Sequence, residues 1–437
     1  MRHAPIKPSL FKRNRDRLRR LLHANSLVIL NANDVLPANA DGTLVMVPNS
    51  DLFHLSGVEQ EESILVLAPD AVDESQREIL FLREPNPHLL TWEGHKLDRD
   101  EATRLSGIKE IRWLGEFPTV LHQLMCEVEH VYLNSNEHRR AVVEVETRDA
   151  RFVRECQRRY PLHRYHRLAR LMHALRVVKS PEEVELIKRA SRITRQGFLR
   201  AAKFVQPGVN EMEIEAEFAH AFIREGAKFA YPPIIAAGGN SCVLHYLRND
   251  AVCRKGDVVL LDVAASYGNY NSDLTRTLPV SGKFSRRQMQ VYRSVLRVMR
   301  AMIQACVPGK LHREWQKEAE AMIQEELLKL GLLKPRDIRN QDPKNPALKR
   351  YFMHGLGHVL GLDVHDVGFM SEPFAPGWVL TVEPGIYIPE EGFGVRLEND
   401  VLVTEKGPVD LMADIPVEPE EVEALMNGAG GRKARPR

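Results

Sequence analysis

Five side chains in the second half of the sequence have the chemistry of a metal site: Asp262, Asp273, His358, Glu383 and Glu398. Each is predicted to lie at a strand or its edge. Asp262 closes the apolar run Val258-Val259-Leu260-Leu261, Glu383 follows Val379-Leu380-Thr381-Val382 and precedes Pro384-Gly385, and Glu398 ends Val395-Arg396-Leu397. A carboxylate carried inward on such a strand needs an opposite charge or full hydrogen bonding. Asp273 follows the turn-forming stretch Tyr267-Gly268-Asn269-Tyr270-Asn271, so a hairpin can bring the two aspartates together. Four converging carboxylates repel, and their pKa values rise until some are protonated. Two divalent cations balance four negative charges. Oxygen-rich ligation with one imidazole favours Mn2+-like ions over a thiolate zinc site. Shared carboxylates hold such ions about 3.5–4 Å apart and leave a bridging water acidic enough to attack an amide.

Taken singly, each residue has an ordinary explanation. An Asp after an apolar strand is more often a cap or turn residue, a Glu before Pro-Gly usually belongs to a turn, and a lone His is commonly a satisfied core residue. The set spans 136 positions, and spacing alone does not establish convergence. His354 and His358, four apart, also invite comparison with HExxH zinc peptidases. Here the run is His354-Gly355-Leu356-Gly357-His358, without the Glu and with two glycines that disfavour a helix. That reading is rejected.

The elements that must position these residues are legible as periodicity. Strands are predicted at 27–30, 64–67, 79–82 and 131–133, after a helix at 9–23 and with helical stretches between. This describes a modest α/β domain ending near residue 165, followed by a helical stretch at 165–175. Ser180-Pro181-Glu182-Glu183 is a capping box with proline at the first helical position, and the helix it opens keeps its apolar face towards Phe198. A second helix is predicted over 211–224, further strands at 234–237, 258–263 and 274–280, two helices within 285–330, a polar loop at 334–348, and strands at 378–382, 386–388, 395–397 and 401–403. The expected fold class is α/β (α+β): a smaller amino-terminal α/β domain over 1–170, a catalytic domain over 171–426, and a disordered basic tail over 427–437.

With the motifs in view, the chain resembles the pita-bread metallopeptidases, and within them the aminopeptidase P and prolidase branch. The resemblance is carried by Leu244-His245-Tyr246, Leu261-Asp262-Val263, Asp273-Leu274-Thr275-Arg276-Thr277, His354-Gly355-Leu356-Gly357-His358, Asp363-Val364-His365-Asp366, Val382-Glu383-Pro384-Gly385 and Arg396-Leu397-Glu398-Asn399-Asp400. It implies a C-terminal pita-bread catalytic domain. It also implies that Asp262 and Asp273 bind one ion, that Asp273 and Glu398 bridge the pair, and that His358 and Glu383 complete the second. Glu383 would shuttle a proton, His245 and His365 would contact substrate and steady the oxyanion, His354 would lie near the proline ring, and Arg396 would hold a ligand carboxylate. Ala264 and Ser266 depart from the family's usual glycine and acid, at positions that are not ligands.

In the amino-terminal half, Asn49-Ser50-Asp51-Leu52-Phe53-His54-Leu55-Ser56-Gly57-Val58 and Trp92-Glu93-Gly94 resemble the aminopeptidase P amino domain, with Val45-Met46-Val47-Pro48 replacing the usual aromatic and basic residues. The resemblance therefore implies an Xaa-Pro aminopeptidase with two divalent ions, Mn2+ by the ligand argument, acting on peptides with proline second. A homo-oligomer, dimer or tetramer, is the matching expectation. Prolidase, cleaving only Xaa-Pro dipeptides, is the near alternative. Methionine aminopeptidase shares the core without this amino domain. A non-catalytic pita-bread binding protein and a metal-free creatinase-like amidinohydrolase both predict missing ligands, and all five are present.

Composition sets the outer limits. The 437 residues exceed one ordinary core. Lys+Arg of 61 against Asp+Glu of 59 calls for neither nucleic acid nor a membrane surface. Five cysteines without CxxC spacing read as free thiols in a reducing compartment, hence cytoplasmic. Basic residues cluster at Lys12–Arg20, where a solvated helix face is the main expectation and a mitochondrial presequence the lesser one.

Overall fold

The structure is a computed structural model that describes residues 3–142 and 144–428. The chain divides into two compact units, one over Ala4–Arg176 and one beginning at Val177. Both mix helices with strands, in line with the expected α/β (α+β) class.

The first unit is built on a six-stranded sheet in the spatial order Glu110–Trp113, Glu78–Leu82, Ile64–Leu67, Ser26–Asn31, His130–Leu133, Arg164–Arg167. Ser26–Asn31 lies at the junction of two styles of pairing, antiparallel to Ile64–Leu67 and parallel to His130–Leu133. Because successive side chains point to opposite faces, Val28 and Leu30 enter one apolar core while Leu27 and Ile29 enter another. A strand buried on both faces reads as a continuous apolar run, which is why Leu27–Leu30 is visible in the sequence.

The first helix, Pro8–Arg19, stops four residues short of the expected end. Its basic face is not wholly solvated either, a correction with a clear cause. Arg15 is buried: its Nη1 donates to the Leu55 and Ser106 carbonyl oxygens at 2.6 and 3.0 Å, and its Nη2 lies 2.8 Å from the Glu78 carboxylate. Burial pulls its pKa down to about 10. The Asn49–Gly57 segment forms a short helix, Ser50–Ser56, capped by the Asn49 side chain. It ends at Gly57, whose φ of 69° and close approach to Phe11 leave no room for a Cβ.

In the second unit the capping box opens the helix Pro181–Phe204, with Ser180 and Glu183 bonded reciprocally. Glu211–Arg224 packs along it. Strand Val258–Asp262 sits between Ile234–Ala237 and Thr275–Pro279, antiparallel to both. Val379–Val382 pairs with Asn399–Thr404, and Gly385–Ile388 with Phe393–Arg396. The polar loop at 334–348 contains a short helix, Pro335–Arg339. Asn427 and Gly428, counted with the tail from sequence, close the helix Pro419–Gly428, held by Asn427 Nδ2 donating to Gly282 O. Residues 429–437 lie outside the described residues.

Candidate metal centre

Two interrupted ladders place the acids. The first ends where Asp262 is paired with Thr275, and Asp273 stands two residues before that pair. In the second, Val382 faces Asn399 and Gly385 faces Arg396. Carrying the same register through the gap sets Glu383 across from Glu398. Pro384 has no N–H to give to a ladder, and the remaining cross-contact is Leu397 N donating to Pro384 O at 3.3 Å. Like charges directly opposite each other on paired strands are destabilising, so this juxtaposition demands a compensating cation.

The side chains converge. Asp273, His358 and Glu398 each offer a donor atom, all within 4.8 Å of one another. His358 Nε2 stands 3.6 Å from both Asp273 Oδ2 and Glu383 Oε1. Tyr231 Oη is 2.6 Å from Asp262 Oδ1 and 2.6 Å from Asp273 Oδ1, joining the two aspartates. All five residues singled out from sequence are thereby brought together. His358 itself lies outside the longer strands, one residue before Val359, which bridges antiparallel to Leu380 at the edge of Val379–Val382. It is anchored to Val379–Val382 through its N–H to Thr381 Oγ1 and through the Thr381 N–H to its own carbonyl oxygen. Gly357 makes that approach possible, since a Cβ there would sit 2.0 Å from Thr381 O.

Electrostatics follow from this crowding. Burial, then the charges of Asp262 and Asp400, raises the Asp273 pKa well above the carboxylate range. Burial, then Asp273 and Glu383, does the same to Glu398. Burial likewise raises Tyr231. A donor set of this kind, four acids and an imidazole whose charges are costly without a counter-ion, fits hard or borderline divalent cations.

Around the acids lies a hydrogen-bonded frame. Arg396 Nη2 donates to Asp262 Oδ2 at 2.6 Å, its Nη1 to Tyr387 Oη at 2.9 Å, and its Nε to Thr275 Oγ1 at 3.2 Å. Thr275 in turn donates to Glu398 Oε2 at 2.6 Å. His354 Nε2 is 2.8 Å from Tyr387 Oη and its Nδ1 is 3.9 Å from Glu383 Oε2. Burial pushes the His354 pKa down to about 3, with Arg396 adding to the effect, so its ring is neutral at physiological pH. The His365 ring lies 4.0 Å from that of His358. His245 is exposed, in the turn after the 3-10 helix Gly238–Cys242, close enough that its charge acts on His354. Sequence reasoning gave no role to Tyr231, Thr275 or Tyr387. Thr275 and Thr277 alternate along one strand face directly after Asp273, a signal that was available; Tyr231 and Tyr387 carried none.

Residues 185–405 match the family described as Metallopeptidase family M24, and residues 11–132 match the Aminopeptidase P, N-terminal domain. The Xaa-Pro aminopeptidase of Escherichia coli (strain K12) is 34% identical over 433 residues, covering 96% of this chain and 98% of that protein. Xaa-Pro aminopeptidase 3 of Homo sapiens is 32% identical over 404 residues, 87% of this chain and 77% of that protein. A zinc-substituted E. coli aminopeptidase P solved in complex with product has a TM-score of 0.87 at 33% identity, covering 98% of this chain and 100% of the other.

Proposed function

The chain belongs to metallopeptidase family M24, and on that premise we infer that it is a metal-dependent Xaa-Pro aminopeptidase, releasing the first residue of peptides whose second residue is proline. The observation that carries the reading is the opposed pair Glu383 and Glu398 with His358 Nε2 3.6 Å from Glu383 and Asp273. Asp262, Asp273, His358, Glu383 and Glu398 would hold the cations. Four carboxylate charges support two ions, and oxygen-rich donors support manganese.

Divalent cations there supply Lewis acidity, polarising the scissile carbonyl and lowering the pKa of water. Glu383 takes a proton from the attacking water and returns it to the proline nitrogen as the C–N bond breaks. Protonation is essential because the leaving group is a secondary amine. His245 and His365 donate to the carbonyl oxygen as it gains charge. Neutral His354, oriented by Tyr387, lies beside the proline ring. Arg396 fixes Asp262 and, through Thr275, Glu398. Proline's missing N–H and fixed φ make such bonds poor substrates for ordinary aminopeptidases, so a dedicated enzyme has a niche.

The five cysteines are free thiols, which supports a reducing, cytoplasmic setting. No helix among the described residues is long and apolar enough to cross a membrane. Assembly as a homodimer or homotetramer rests on the aminopeptidase P resemblance, and light scattering reads it directly. The deciding assay sets Xaa-Pro-Yaa tripeptides beside Xaa-Pro dipeptides and Xaa-Ala-Yaa controls, with Mn2+ present. Release of the first residue from the tripeptide is expected. Turnover of the dipeptide alone would make the chain a prolidase.

A further inference from the structure

Three histidines of the amino-terminal unit form a cluster that takes no part in peptide hydrolysis as derived above. His23 precedes strand Ser26–Asn31, His130 opens strand His130–Leu133, and His166 lies on the neighbouring parallel strand Arg164–Arg167. Their ring centroids form a nearly equilateral triangle, 4.8 Å for His23–His130, 5.1 Å for His23–His166 and 4.9 Å for His130–His166. His130 Nδ1 and His166 Nε2 already stand 2.8 Å apart.

That triangle has the dimensions of a tris-imidazole site. With metal–nitrogen bonds of about 2.0–2.1 Å and tetrahedral angles, three imidazole centres lie about 5 Å from one another. Tyr132 stacks on the His166 ring at 4.8 Å, and its Oη accepts the backbone N–H of His23 at 3.3 Å. The other nitrogen of His130, Nε2, lies 4.0 Å from the Glu129 carboxylate, which is also 3.7 Å from Arg164. Burial, then the neighbouring histidines, lowers the His166 pKa, which favours the neutral, ligating form. Among the described residues the three donor atoms already within 4.8 Å of one another are those of Asp273, His358 and Glu398. His23, an exposed residue, therefore has to rotate about its side-chain torsions to complete the set. We propose that His23, His130 and His166 form a second metal site, selective for Zn2+, Ni2+ or Cu2+. All-nitrogen donors separate it chemically from the oxygen-rich centre, because imidazole suits those ions and carboxylate suits Mn2+.

The test strips the full-length protein of metal, titrates it with zinc chloride, and counts bound zinc after gel filtration. The double variant His130→Gln/His166→Gln is expected to bind one zinc fewer per chain than the wild type, with its Mn2+-supported hydrolysis unchanged. His23→Gln is expected to weaken that zinc about tenfold or more. A second reading needs no variant: zinc should protect His23, His130 and His166 of the wild type from diethyl pyrocarbonate, as followed by mass spectrometry. Equal zinc counts, wild-type affinity in His23→Gln, or unprotected histidines would each overturn the site.

Discussion

Thr275 offers the sharpest test of how the acids are held. It is fully buried, donates to Glu398 Oε2 at 2.6 Å and accepts from Arg396 Nε at 3.2 Å. Thr275→Val keeps the shape and removes both bonds. Arg396 retains Asp262 and Tyr387 as acceptors, so the loss falls on Glu398. A hydrogen bond to a charged group contributes about 1.5–3 kcal/mol. Removing an outer partner of a ligand typically costs about 10–100-fold in metal affinity, or about 1.4–2.7 kcal/mol, and the two routes agree. Competition of the protein with a fluorescent chelator for Mn2+ measures the effect. Thr277→Val is the control: on the same strand face, Thr277 bonds only the Arg396 backbone, donating to its O at 3.1 Å and accepting from its N at 3.3 Å. Its removal should lower the melting temperature without moving metal affinity. Equal losses of affinity in the two variants, or wild-type affinity in Thr275→Val, would refute the reasoning.

Gly357→Ala drives a methyl group into Thr381 O; overpacking of this kind costs about 1–3 kcal/mol, and because it pries His358 from its anchor, hydrolysis should fall while far-UV circular dichroism stays unchanged. Asp149 has its pKa raised to about 6 by burial, against the pull of the Asn31 hydrogen bond. A carboxyl raised in the folded state stabilises below its ordinary range, and that contribution is lost as pH rises through about 6. About half of the roughly 3 kcal/mol at stake is already lost at pH 5, so Asp149→Asn should gain about 1.5 kcal/mol on the wild type between pH 5 and pH 8, read by urea denaturation at both. Arg15→Met removes the donor to two buried carbonyl groups while Glu78 keeps its ion pair with Arg19, and should cost about 1–3 kcal/mol in the same assay.

The contrast between Arg15 and Arg396 shows what a sequence exposes. Arg396 lies two residues before Glu398 in one strand-like run, so the two share a face, and the family resemblance already implied that it would hold a ligand carboxylate. Arg15 sits among five other basic residues, where a solvated face is the ordinary outcome. The backbone of Leu55 and Ser106, 40 and 91 positions away, and the Glu78 carboxylate make its burial tolerable. The same distinction runs through the metal centre. Asp262, Glu383 and Glu398 were visible because a charge at the end of an apolar strand violates the local pattern and must be answered elsewhere in the chain. Tyr231 violates nothing locally. Its Oη gains meaning only from two aspartates 31 and 42 positions on.

The opposition of Glu383 and Glu398 belongs to an intermediate class. Each strand was legible, but the register that sets them face to face is a property of the pair. Pro384 could be read as a ladder-breaker, yet not as the residue that opens a gap between two acids. Local rules thus reveal where a sequence departs from a stable fold, and only pairing reveals what the departure is for. Here it is a cleft in a ladder whose two carboxylates are tolerable together when a cation lies between them.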